Sequence, residues 1–191
     1  MPRIPRALVF ALLPLTLTAG GCDGSDTSGA ERLPDALAPA TVPGGSAAAS
    51  GVVERVVDGD TIVVDVGDDR ARVRLLGIDT PESVKPDAPV ECFGPEASAR
   101  TAQLLPEGVR VRLETDPNAG PQDDFGRVLA YVTPEGARFT VNEALLREGF
   151  ATLFVFDRSR PFTRATAFRR AQDAARDAGL GLWGSCPRPG R

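Results

Sequence analysis

Between residues 51 and 132 apolar side chains recur with period two in five short segments, interrupted once by a helical stretch. This order of periods limits the fold more than any other feature. Val52, Val53, Val56 and Val57 lead into Asp58-Gly59-Asp60, after which residues 61–66 are rich in β-branched side chains, so two strands meet at a tight turn. In residues 71–76 Val73 and Leu75 alternate with Arg72 and Arg74, which marks a third, half-buried strand whose arginines face away from the core. Gly94-Pro95-Glu96 opens a helix, because proline suits the first helical turn and an acid suits the positive end of the dipole; Pro106 and Gly108 stop it. Residues 109–113 and 128–132 read as the fourth and fifth strands. Thr140-Val141-Asn142-Glu143 has the pattern of a capping box opening a short helix, and a last helix is predicted from about Phe162 to Ala178, ended by Gly179.

Three strands, a helix, two strands and then helices is the order of a five-stranded Greek-key barrel of the OB type. The predicted fold class is therefore α+β, mainly β, with about three helices. A chain of 191 residues suffices for one such domain with appendages. Residues 1–21 read as a signal peptide: Arg3 and Arg6 precede an almost wholly apolar stretch, and Thr18-Ala19-Gly20-Gly21 is a small-residue exit. Cys22 follows directly, an arrangement that resembles the lipobox at which bacterial lipoproteins are cleaved and lipidated. Cleavage near Ala19 by an ordinary signal peptidase would instead leave a free thiol on the tail. Residues 22–50 hold few large apolar side chains among Ser, Gly, Ala, Pro, Thr and Asp, so they read as a tether unable to offset the entropy of ordering. The folded domain is expected over 51–186, with a tail at 187–191. No apolar run of about 18 residues follows the N-terminus, so no membrane span is expected in the mature chain; the leader predicts export, the chain being secreted or held to the membrane through a lipid on Cys22.

Three stretches concentrate charge. Asp58-Gly59-Asp60-Thr61 closes the first hairpin, Arg74-Leu75-Leu76-Gly77-Ile78-Asp79-Thr80-Pro81-Glu82 leaves the third strand, and Asp123-Asp124-Phe125-Gly126-Arg127 precedes the fifth. Each alone also reads as an ordinary polar turn. In this order and spacing they resemble the staphylococcal nuclease (thermonuclease) family. The resemblance runs from about Val56 to Trp183, through Gly94-Pro95-Glu96-Ala97-Ser98, Leu129-Ala130-Tyr131, Val141-Asn142-Glu143-Ala144-Leu145 and Gly181-Leu182-Trp183.

The resemblance implies Ca²⁺-dependent hydrolysis of phosphodiester bonds in DNA and RNA, leaving 3′-phosphate ends. On it, Asp60, Asp79 and the backbone carbonyl of Thr80 match the family's metal ligands, with Asp58 behind them. An all-oxygen set with room for water suits Ca²⁺ better than Zn²⁺. Glu82 matches the general base or water-orienting group, and Arg74 and Arg127 match two arginines that grip the phosphate, where a guanidinium fork offers bidentate bonds that lysine lacks. The chain has no histidine, which excludes nuclease mechanisms built on a histidine base and leaves a carboxylate with a hard cation.

Two departures from the family type bear on substrate grip. Asp124-Phe125 stands where the type has Lys-Tyr, and Phe154-Val155-Phe156 where it has Tyr-Val-Tyr. The aromatic faces of Phe125, Phe154 and Phe156 remain available for stacking on bases or sugars. Residues from 51 onward are net acidic, so non-specific affinity for nucleic acid is expected to be modest. Arg158, Arg160, Arg164, Arg169 and Arg170 either add to it or form only a solvated face. A monomer is expected, and no protein partner is inferable. A catalytically silent barrel that binds nucleic acid or protein at the cell surface is the alternative; the intact Asp60, Arg74, Asp79, Glu82 and Arg127 weigh against it, since a silent module has no physical need for costly clustered charge. Export would place Cys92 and Cys186 in an oxidising compartment, where a bridge between them is expected, two free thiols being the alternative.

Overall fold

The computed structural model describes residues 48–83 and 90–187. The expected signal peptide 1–21, Cys22, the tether as far as residue 47 and residues 188–191 of the tail lie outside the described residues. Three strands come first, β1 (Ala48–Asp58), β2 (Thr61–Val66) and β3 (Asp69–Leu75), then a two-residue strand β4 (Ile78–Asp79) and helix α1 (Gly94–Leu104). β5 (Arg110–Glu114), β6 (Val128–Pro134), α2 (Val141–Arg147), β7 (Thr152–Leu153), α3 (Ala165–Asp177) and α4 (Leu182–Ser185) follow. Five strands close a barrel in the order β1-β2-β3-β6-β5. All neighbours are antiparallel except β3 and β6, whose Val73 and Val128 are parallel partners. The fold is the expected five-stranded OB barrel. Among the described residues no helix is long and apolar enough to cross a membrane.

The predicted alternation survives folding. On β3, Ala71, Val73 and Leu75 are buried while Arg70 and Arg72 are exposed; on β5, Val111 and Leu113 are buried while Arg110 and Arg112 are exposed. Period two puts one face of each strand into the barrel, where Ile62, Val64, Val73, Leu75 and Val132 are fully buried. β1 begins at Ala48, three residues before the expected start at Gly51, because Ala48, Ala49 and Ser50 pair with Glu114, Leu113 and Arg112 through their backbones. Ladder bonds need no large side chain, so a small-residue segment that reads as tether still forms strand. Cys92 and Cys186 are bridged, with Cα atoms 5.9 Å apart.

Three elements escape the period analysis, β4, β7 and the four-residue α4, a fourth helix among the described residues beside the three expected. β4 and β7 form a separate two-stranded sheet, Ile78 opposite Leu153 and Asp79 opposite Thr152. Two residues cannot display a period. The helix predicted from Phe162 starts instead at Ala165, because the Thr163 N–H and hydroxyl both donate to Asp116 Oδ2. At α2 the Thr140 hydroxyl accepts the Glu143 N–H at 3.1 Å as expected, but the Glu143 carboxylate accepts from Arg147 Nε at 2.8 Å, so half of the capping box is replaced by an ion pair.

Asp116 is 2% exposed, and its carboxylate also accepts from the Tyr131 hydroxyl at 2.7 Å and the Asn118 N–H at 2.9 Å. Burial pushes its pKa up, but the bonds from Thr163, Tyr131 and Asn118 outweigh burial and hold it below the usual carboxylate range. A group depressed in this way stabilises the fold above its unfolded pKa of about 3.9, and the contribution is lost as pH falls toward the folded value. Asp116→Asn is therefore expected to destabilise the chain at pH 7 by about 2 kcal/mol and to flatten its loss of stability below about pH 4. Denaturant titrations at pH 7 and pH 3 check this; equal destabilisation at both would contradict it.

Candidate active site

The β1–β2 hairpin pairs Asp58 with Thr61, leaving Gly59-Asp60 as a two-residue loop. A Cβ on Gly59 would lie 2.6 Å from Thr80 Oγ1, so only glycine lets the segment after β4 approach this closely. The Thr80 N–H donates to Asp60 Oδ2 at 3.2 Å and the Leu75 N–H to the Asp60 carbonyl at 2.8 Å. Hairpin, β3 and the Asp79-Thr80 segment are thereby locked together.

Arg74, the last outward residue of β3, turns back over this junction with its side chain only 13% exposed. Its Nη1 donates to the carbonyls of Ile78 (2.8 Å) and Leu75 (3.2 Å), and its Nη2 lies 2.9 Å from both Asp60 Oδ2 and Asp79 Oδ1. Asp79 is held by the small sheet, where the Thr152 hydroxyl donates to its carbonyl at 3.3 Å. Its carboxyl backs onto the barrel end: desolvation, followed by the charges of Asp60 and Glu91, raises its pKa above the usual range against the pull of Arg74. Two carboxylates converging on one guanidinium nitrogen make an oxygen-only donor set whose two negative charges face one positive charge. Among the described residues no group of three or more His, Cys, Asp or Glu side chains gathers to hold a metal. The residues present fit a hard cation that keeps part of its water shell, and not a zinc ion held by nitrogen and sulfur.

Arg127 faces the same region from the start of β6. Asp123 grips it, accepting from Nε and Nη2 at 2.7 Å each, while the second Asp123 oxygen accepts the N–H groups of Phe125 (3.0 Å) and Arg127 (2.9 Å). Nη1 remains 3.4 Å from the Thr61 hydroxyl, and the guanidinium lies over the Phe125 ring at 5.4 Å. Glu82 is half-buried; its N–H donates to Glu91 Oε2 at 3.0 Å and its carbonyl accepts the Glu91 N–H at 2.9 Å. Asp58 Oδ1 accepts from the hydroxyls of Ser83 (2.6 Å) and Ser98 (2.8 Å), which ties the residue after Glu82 to the hairpin and to α1.

A cavity of about 340 Å³ opens beside these groups, lined by Arg74, Arg127, Phe125, Phe154 and Phe156 among others. Phe125 and Phe156 are 81% and 87% exposed, which leaves their rings bare toward solvent. Asp60, Asp79, Thr80 and Glu82 lie outside its lining. Arg74 joins the two groups, lining the cavity while bonded to Asp60 and Asp79.

The model of the staphylococcal nuclease homologue family matches residues 72–185, more than half of the chain. The chain is also 40% identical over 132 residues to the thermonuclease of Staphylococcus intermedius, covering 69% of this chain and 74% of that one. It belongs to the staphylococcal nuclease family. The thermonuclease of Staphylococcus hyicus is 46% identical over 99 residues (52% of this chain, 56% of its own), and the endonuclease YncB of Bacillus subtilis 36% over 132 residues (69% and 60%). The chain thus spans between 56% and 74% of these relatives' lengths.

Within this staphylococcal nuclease barrel, the sequence picks out Asp60, Arg74, Asp79 and Arg127 but not what holds them. Asp123 reads as a turn residue, although its spacing of four from Arg127 is that of a close ion pair. Ser83 has no sequence signal, and Ser98, although it stands in the 94–98 stretch that carries the resemblance, gives no sign of its bond to Asp58, since an acceptor 25 or 40 residues away leaves no local trace.

Proposed function

We propose that this chain is an exported, Ca²⁺-dependent nuclease that hydrolyses phosphodiester bonds in DNA and RNA, leaving 3′-phosphate and 5′-hydroxyl ends. The observation that carries the reading is Arg74, held at 2.9 Å by both Asp60 and Asp79, lining a cavity that Arg127 also lines. Family membership and relatives named thermonuclease and endonuclease support it. Asp60, Asp79 and the Thr80 carbonyl would hold Ca²⁺, which when bound neutralises phosphate charge. Arg74 turns its Nη2 from the two carboxylates to a phosphate oxygen. Arg127, its Nε fixed by Asp123, offers its remaining N–H groups to the same phosphate, where charge grows as the five-coordinate transition state forms. Glu82 orients a water and takes its proton as the water oxygen bonds to phosphorus; the P–O5′ bond breaks, the 5′ oxygen takes a proton from solvent water, and Glu82 returns its proton to solvent. Asp58 acts at one remove, holding Ser83 and with it the Glu82 loop. Phe125, Phe154 and Phe156 stack on bases or sugars.

Outside the described residues, the apolar leader and Cys22 support export with a lipid anchor, the tether holding the barrel off the membrane. Purified protein is expected to degrade plasmid DNA and RNA in Ca²⁺, giving fragments that polymerase extends only after phosphatase treatment. Intact substrates, or fragments carrying 5′-phosphate, would contradict the reading.

Asp124 and Phe125 line the cavity but offer a negative charge and a bare ring. A contact made equally in ground and transition states changes KM alone. Asp124→Lys with Phe125→Tyr is expected to lower KM for single-stranded DNA several-fold, to leave kcat within about twofold, and to steepen the salt dependence by about one phosphate contact. A change in kcat with KM untouched would contradict the placement of these residues at the substrate.

A further inference from the structure

The residues on both sides of Cys92 hold the backbone of Glu82. Directly before it, Glu91 makes the reciprocal pair of hydrogen bonds with Glu82. Two residues after it, Gly94 lies against the Glu82 carbonyl so closely that a Cβ would come within 2.6 Å of the oxygen. Between them Phe93 has a φ of 74°, a left-handed conformation that a bulky residue keeps only where its surroundings impose it. The Gly94 N–H closes a turn over Phe93 onto the Glu91 carbonyl at 3.0 Å, and two further contacts tie that turn to the rest of the domain. The Phe93 ring packs on Phe150 at 5.3 Å, and Cys92 is bridged to Cys186. The far end of the bridge is firmly seated: the Cys186 N–H donates to the carbonyl of fully buried Leu182, whose own N–H donates to Gly149. Cys92 itself is exposed, so a reductant can reach the bridge.

We propose that the Cys92–Cys186 bridge and Glu91 form a clamp that positions Glu82, so that opening the bridge slows turnover without loosening substrate binding. The inference rests on the reading of Glu82 as the water-activating carboxylate. Glu91 is a positioning residue, acting through the Glu82 backbone; its charge also bears on Asp79, and Glu91→Gln removes that charge while keeping the acceptor oxygen. In the reduction the bridge gains two electrons and two protons to become two thiols, while a dithiol reductant closes to its own disulfide. Arg74 and Arg127 are held by Asp60, Asp79 and Asp123 and do not depend on the bridge, so phosphate binding persists.

The test measures kcat and KM on single-stranded DNA in Ca²⁺ for the full chain, oxidised and dithiothreitol-reduced, at a temperature where circular dichroism shows both folded. Glu91→Ala, Glu91→Gln and Glu82→Gln are measured alongside. Reduction is expected to lower kcat at least about fivefold with KM within about twofold, as for loss of a positioned base. Glu91→Ala should do the same with the bridge intact. Glu91→Gln, which keeps an acceptor oxygen for the Glu82 N–H, should stay close to wild type. In Glu82→Gln the residual turnover should not respond to reduction. An unchanged kcat in the folded, reduced protein overturns the clamp, as does an equal loss in Glu82→Gln. If the reduced chain unfolds, wild-type kcat in Glu91→Ala overturns it instead. Wild-type turnover by Glu82→Gln would refute the role of Glu82 itself, a failure visible before any reductant is added.

Discussion

Replacing Glu82 with alanine is expected to lower kcat by at least about 10²-fold, the range for a positioned acid or base, while the barrel stays folded. Glu82 lies beyond β4, half-buried at the barrel end, and contributes no side chain to the apolar core. Its backbone is fixed by Glu91 and Gly94, contacts that alanine at position 82 leaves in place. The substitution therefore removes the carboxylate while leaving those backbone contacts in place. Arg74 and Arg127 keep their partners, so KM should move far less than kcat, the signature of a group that acts mainly in the transition state. Steady-state kinetics on a defined oligonucleotide, with a circular dichroism spectrum of the variant, decides the matter. Near-normal turnover would remove Glu82 from the mechanism.

The barrel was legible because its strands obey one rule. Ala71, Val73 and Leu75 point in while Arg70 and Arg72 point out, and any reader of period two recovers them. Where physics other than side-chain burial forms the element, the sequence is silent. Ala48–Ser50 pair through backbone alone, and β4 and β7 are two residues each. The start of α3 moves because Thr163 bonds to Asp116, an acid 47 residues away that no local pattern connects to it. The site divides in the same way. Asp60, Arg74, Asp79, Glu82 and Arg127 stand in short stretches whose order carries the resemblance. Their supports, Asp123 under Arg127, Ser83 and Ser98 on Asp58 and Glu91 on Glu82, are ordinary polar residues until folding brings them together. The pairing of Arg74 with both carboxylates was equally hidden, because the β3–β4 bend that turns it inward depends on bonds to the carbonyls of Leu75 and Ile78.

The second large effect concerns the cation. Asp60 and Asp79 approach the same nitrogen of Arg74, so two carboxylates share one guanidinium; partial desolvation and the neighbouring acids raise the Asp79 pKa, although its side chain is still 56% exposed. Arg74 by itself leaves that charge under-compensated, and in the proposed reaction it must also serve the phosphate. A divalent cation held by the oxygen set would answer both demands. Its removal is expected to cost at least about 10³-fold in rate, in keeping with the several kcal/mol that a metal contributes to transition-state charge. Asp79→Ala should raise the Ca²⁺ concentration needed for half-maximal rate.

The most direct measurement is hydrolysis of a defined single-stranded oligonucleotide by the purified chain in millimolar Ca²⁺, after excess chelator, and again after Ca²⁺ is restored. The account predicts cleavage that stops in chelator and returns with the ion. Cleavage undiminished in excess chelator would contradict a reaction built on Asp60, Asp79 and Ca²⁺.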